Sequence, residues 1–182
     1  MLEGESTMSE QVAADRVSGL RILAVDDEPD ILETIVDVLD GATVTCARSY
    51  QEAMDLLNPA ESDGAAGGQF DVAILDIMGV DGMELLNQTV SQGIPTVMLT
   101  AHAMNPDTLK TSIKQGALSY LPKEELANLP EHITDMFEAI EAGQSTWQRL
   151  FNRMGNFFER AFAPSWRSDD PDFWAYHYGT MM

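Results

Sequence analysis

The stretch "FDVAILDIMGVDGMELL", residues 70–86, decides how this sequence folds. An apolar run ends in a single carboxylate, Asp76, and a short glycine-containing turn leads into helical spacing. A brief continuous apolar run bounded by a turn reads as a strand covered on both faces, as in a parallel sheet. A carboxylate at the end of such a strand is costly to bury unless something pairs with it.

Working outward, the same sequence of events recurs. Leu20–Val25 is an apolar run ending in Asp26, Asp27 and Glu28. From Pro29 the spacing becomes helical through Ile31, Leu32, Ile35, Val36, Val38 and Leu39, and Gly41 closes it. "ATVTCA" reads as a second strand, and "SYQEAMDLLN" as a helix opening with a loose capping box. "PAESDGAAGGQ" is a small-residue loop. After the strand "DVAILD" come the helix "GMELLNQTV", the strand "IPTVMLTA", the helix "NPDTLKTSIKQG" and the strand "ALSYLP". A fifth helix, "EELANLPEHITDMFEAIEAG", is expected to break before Pro130. This alternation predicts an α/β fold, a doubly wound five-stranded parallel sheet with helices on both faces. In such sheets ligands bind beyond the carboxyl ends of the strands.

Those ends carry a coherent set. Strand 1 ends in Asp26 and Asp27, strand 3 in Asp76, strand 4 in Thr100 (then Ala101 and His102), and strand 5 carries Tyr120 and leads into Lys123. Clustered carboxylates resist ionisation together unless a cation joins them. An all-oxygen cluster suits a hard divalent ion such as Mg²⁺. A carboxylate left facing outward can attack phosphorus, and the metal and a lysine would neutralise the charge that develops. Each residue alone has an ordinary explanation: acids favoured at a helix N-terminus, an N-cap aspartate, a turn threonine, a solvated lysine. Four strand ends furnished together with what phosphoryl transfer needs do not.

"ILAVDDEPD", "VAILDIM", "VMLTA" and "YLPK", in this order, resemble the motifs of the response-regulator receiver domain of two-component signalling. The resemblance covers residues 19–142 and implies a flavodoxin-like (βα)5 fold. It implies that Asp76 is the phosphoacceptor, that Asp26 and Asp27 help to bind Mg²⁺, and that Met78 offers its backbone carbonyl to the metal. Thr100 would be the switch hydroxyl, Lys123 the phosphate-binding cation and Tyr120 the aromatic switch. The phosphoryl donor would be a histidine kinase or phosphotransfer protein, and the output a surface recognised by a downstream protein.

Two features depart from the family pattern. The turn from Asp76 to Asp81-Gly82 is "IMGV", two residues shorter than usual and without its proline. Proline precedes Lys123 instead of following it, so a cis peptide, if present, would fall at Leu121–Pro122. Neither departure removes a reacting group.

The remaining sequence frames this core. Residues 1–18 are polar and acidic, lack the pattern of a secretory signal, and are expected to form a flexible leader. Residues 143–182 form a tail in which Trp147, Leu150, Phe151, Met154, Phe157, Phe158, Ala161 and Phe162 fall on one helical stripe. Ser145 or Thr146 can cap this helix and Pro164 follows it, before an aromatic, turn-rich segment. The stripe must be buried on its own receiver, on a second copy or partner, or on a membrane surface. An acidic body disfavours the membrane.

The chain has 182 residues, 45% of them hydrophobic, and a net charge of −20. Residues 1–142 hold 26 acids against 6 bases, while the tail is neutral. Such a body repels phosphate backbones, which excludes direct nucleic-acid binding as a leading function. The one cysteine, Cys46, excludes an internal disulfide and fits a cytoplasmic protein. The expected function is a single-domain response regulator, not an enzyme. The alternative is a receiver-like scaffold that takes no phosphate and acts through its tail helix. A phosphohydrolase is disfavoured, because no second acid–base group accompanies Asp76.

Overall fold

The computed structural model describes residues 3–59, 70–101 and 105–178. Most of the small-residue loop and His102 lie outside them. Helix α1 (Glu3–Val17) precedes β1 (Arg21–Val25), α2 (Pro29–Val38), β2 (Thr43–Ala47), α3 (Tyr50–Leu57), β3 (Val72–Asp76) and α4 (Gly82–Ser91). Then follow β4 (Thr96–Thr100), α5 (Pro106–Lys114) and β5 (Ser119–Pro122). A 3₁₀ turn (Lys123–Asn128) leads into α6 (Leu129–Glu141), α7 (Thr146–Ala161) and α8 (Pro171–Tyr178).

The sheet order is β2-β1-β3-β4-β5, with all pairs parallel. The central strands β3 and β4 are buried along their whole length, as expected of strands covered by helices on both faces. The edge strand β2 is half exposed. Stepping outward from β1 in both directions brings the ends of β1 and β3 side by side, so Asp26 and Asp76 meet.

Local chemistry sets the boundaries. Ser49 caps α3, its Oγ accepting from Glu52 N at 3.2 Å. Asn105 caps α5 through Asp107 N, and Pro106 occupies the first turn. The expected break before Pro130 is present, where the 3₁₀ turn gives way to α6 at Leu129. The Leu121–Pro122 peptide is trans.

Residues 3–17 are not a flexible leader but a helix. Its period is faint, since among the side chains described, residues 8–17, only Ala13 and Val17 are well buried, and it is held by packing on α6 and by an ion pair from Arg16 to Glu141. The tail packs on its own receiver. Trp147, Leu150, Phe151, Met154, Phe158 and Phe162 are buried, whereas Ala161, at the stripe's end, is exposed. Ser145 caps α7 by accepting from Gln148 N at 3.3 Å. The turn-rich end contains a further helix, α8, whose Trp174 packs edge-on against Phe151 and Trp166. Arg149 and Arg153 of α7 pair with Glu131, Asp135 and Glu138 of α6, fixing the register between the two helices. Among the described residues no helix is long and apolar enough to cross a membrane.

Candidate functional site

β1 delivers Asp26 and Asp27, and β3 delivers Asp76, to one edge of the sheet. Each offers a carboxylate oxygen, and the three oxygens lie within 4.8 Å of one another. Asp26 and Asp76 are buried, while Asp27 is exposed. Lys123 enters from the end of β5. Its Nζ lies 2.8 Å from Asp26 Oδ2, 3.3 Å from Asp76 Oδ1 and 2.7 Å from Glu28 Oε1. With Pro122 before it, the lysine still reaches the site, because it is the first residue of the 3₁₀ turn after β5.

The charges are coupled. Burial, reinforced by Asp26, pushes the Asp76 carboxyl up to about 6, and Lys123 opposes the rise. Burial also raises Asp26, with Lys123 again acting against it. Burial works to lower the Lys123 ammonium, but the ion pair with Asp26, the hydrogen bond to Glu28 and the charge of Asp76 outweigh it and hold the ammonium above its ordinary range. Two buried acids thus share one lysine, which leaves a net negative site. Carboxylates of this number and spacing fit a hard, oxygen-seeking divalent cation.

Thr100 ends β4, nearly buried, and its Oγ donates to the Ala101 carbonyl at 3.1 Å. Tyr120 is fully buried. Burial pushes its phenol up, the neighbouring Thr100 hydroxyl acts the other way, and the phenol oxygen forms no hydrogen bond of sound geometry. The two residues are thus buried neighbours at the end of β4 and in β5.

The short turn after Asp76 closes by tight backbone packing. Gly79 adopts φ +86° and Asp81 φ +52°, the left-handed region that glycine enters freely and aspartate tolerates. A Cβ on Gly79 would sit 2.7 Å from Asp27 Oδ1, and one on Gly82 would sit 1.9 Å from the Asp76 carbonyl oxygen. Val80 points into the core as a plug, and the Met78 side chain is exposed. Two residues can be saved because glycines stand where the turn presses on the site.

Sequence reading missed one participant in the site, Glu28, and one buried titratable group outside it, His132. Glu28 stood in the "DDE" run, but nothing in the spacing showed that it would reach Lys123, 95 positions away. His132 lies buried in α6 beside α7, where burial and Arg153 push it down to about 4 against the opposing Asp135. Its position on the apolar face of α6 was the available signal.

A family profile described as "Response regulator receiver domain" matches residues 22–134. The two-component response regulator ARR10 of Arabidopsis thaliana is 32% identical over 124 residues, covering 63% of this chain and 21% of its own length. The transcriptional regulatory protein TcrA of Mycobacterium tuberculosis is 31% identical over 136 residues, covering 71% and 48%. The chain thus spans less than half the length of these curated relatives. Among solved structures, the CheY-like receiver domain protein of Methanospirillum hungatei aligns with a TM-score of 0.56 at 27% identity, covering 69% of this chain and 99% of that one. A receiver domain protein of Clostridium thermocellum aligns at 0.55 and 26% identity, covering 68% and 98%.

Proposed function

The chain belongs to the response-regulator receiver family, and on that premise we propose that it is a phosphoryl-accepting signalling switch, with Asp76 as the acceptor, and not an enzyme. The observation that carries this reading is the convergence of Asp26, Asp27 and Asp76 with Lys123 at one sheet edge. A carboxylate oxygen of Asp76 attacks phosphorus as the bond to the donor imidazole of a histidine kinase or phosphotransfer protein breaks. Asp26, Asp27, Asp76 and the Met78 carbonyl would hold Mg²⁺, which would supply positive charge opposite the transferred group. Lys123 pairs with the phosphoryl oxygens, and Thr100 turns its hydroxyl from the Ala101 carbonyl to donate to one of them.

Thr100 ends the strand preceding α5, and Tyr120 lies in β5. The tail touches both regions. Trp147 Nε1 donates to the carbonyl of Ala117 at 2.9 Å, and Asp170 of the tail pairs with Lys110 of α5. Phe173 lies under Lys110 and Lys114, at 5.1 and 5.4 Å. These contacts support the reading that phosphorylation at Asp76 alters the surface formed by α5, β5, α6 and the docked tail, which a downstream protein would read. In this reading the chain works in the cytoplasm, without nucleic acid.

Acetyl phosphate with Mg²⁺ labels the wild type in an acid-labile manner and does not label Asp76→Asn. Equal labelling of the two sinks the acceptor assignment. No labelling of the wild type, with no Mg²⁺ affinity at millimolar concentration, favours the scaffold reading instead.

A further inference from the structure

We infer that Glu28 is a positioning residue for Lys123, the carboxylate that retains its ammonium when a cation displaces it from Asp26 and Asp76. The inference deepens the phosphoacceptor reading above and rests on it.

A lysine ammonium has three donors, and here three carboxylates surround it: Glu28 at 2.7 Å, Asp26 at 2.8 Å and Asp76 at 3.3 Å. Two of these, Asp26 and Asp76, belong to the trio whose oxygens could hold a metal ion; Glu28 does not. A divalent cation entering the trio must displace the lysine from both. Glu28 is the one partner that Lys123 can then keep.

The backbone of Glu28 is prepared for this. It occupies the N-cap position of α2, where a shorter side chain would normally bend back to accept from the first turn, yet its carboxylate makes no capping bond. Its own N–H donates to Asp26 Oδ1 at 2.9 Å, and its carbonyl accepts from Ile31 N and Leu32 N at 3.2 and 3.3 Å. The backbone is therefore fixed at both ends, and the side chain is spent on Lys123. Burial does not force the contact, since the Glu28 side chain is 60% exposed against 10% for Lys123. An exposed carboxylate that reaches a nearly buried ammonium gives that charge a partner outside the pair of acids beneath it.

The ordinary alternative is that Glu28 acts only as one more negative charge near a helix N-terminus. The two accounts separate through Lys123. Mg²⁺ affinity is measured by titration calorimetry on the full chain in wild type, Glu28→Gln, Glu28→Asp, Lys123→Met and the Glu28→Gln/Lys123→Met double variant, each checked by thermal unfolding. The expected result is about threefold weaker Mg²⁺ binding in Glu28→Gln, and no further change when the same substitution is made in Lys123→Met. Glu28→Asp keeps the charge but loses the reach, so it behaves like Glu28→Gln.

Equal weakening in both backgrounds, with Glu28→Asp like wild type, shows charge alone and overturns the inference. Unchanged or tighter binding in Glu28→Gln overturns it as well, and leaves the metal reading intact. A wild type that binds no Mg²⁺ overturns both.

Discussion

The indole nitrogen of Trp147 donates to the carbonyl of Ala117 at 2.9 Å, joining the first turn of α7 to the residue that leads into β5. Both groups are buried, so the bond is made away from competing water. Trp147→Phe keeps most of the ring but orphans that carbonyl, and is expected to lower unfolding stability by about 1–2 kcal/mol. Trp147→Ala also empties the site and is expected to cost about 3–5 kcal/mol. Denaturant unfolding of both variants checks the difference between them.

The turn after Asp76 makes a second, steeper contrast. Gly82→Ala places a methyl against the Asp76 carbonyl, where only backbone could yield. It is expected to destabilise by more than 3 kcal/mol, or to prevent folding. Gly79→Ala meets only the movable end of the Asp27 side chain, but carries a left-handed backbone. It is expected to cost about 1–2 kcal/mol and to weaken Mg²⁺ binding by displacing Asp27. A fully stable Gly82→Ala protein would contradict the described turn.

His132 makes stability depend on pH. Its value in the folded chain is lowered to about 4, so the unfolded chain takes up this proton first as pH falls. The stability it permits is complete above about 6.5 and is lost as pH falls toward 4, to a total of about 3 kcal/mol. The facing groups are Arg153 on α7 and Asp135 on α6. His132→Leu removes this loss and leaves the opposite trend of Asp76 uncompensated, so its stability should rise relative to wild type as pH falls from 7 to 4.5 in chemical unfolding.

Asp76 works in the opposite direction in nearly the same interval. Raised to about 6, it penalises the metal-free fold fully above that pH, and the penalty is relieved as pH falls toward its ordinary value. Asp76→Asn should therefore stabilise the metal-free protein at pH 7 by about 2 kcal/mol and steepen its loss of stability on acidification. Wild type, with both groups present, should show the shallowest profile of the three. Chelated samples compared across pH check this ordering.

The sheet and its reactive edge were legible because strand ends in a parallel sheet converge whatever the connecting helices contain. Asp26, Asp27, Asp76, Thr100 and Lys123 each follow an apolar run, and chain order alone brings them together. Helix α1 was not legible, because Ala13 and Val17 are too small a pattern to announce it and its stability comes from α6. The site of tail docking was not legible either. An apolar stripe states that it must be covered but not by what, and the pairing of Arg149 and Arg153 with the acids of α6 depends on three-dimensional register. Glu28 and His132 were missed for related reasons: one acts across 95 positions, the other only through what packs over it.

Helix α6 would be the outermost helix of a bare (βα)5 unit, yet here both α1 and α7 pack against it. A peripheral layer has become an interior one. Its amides should exchange with deuterium as slowly as those of β3 and β4, because opening α6 requires two further helices to detach first.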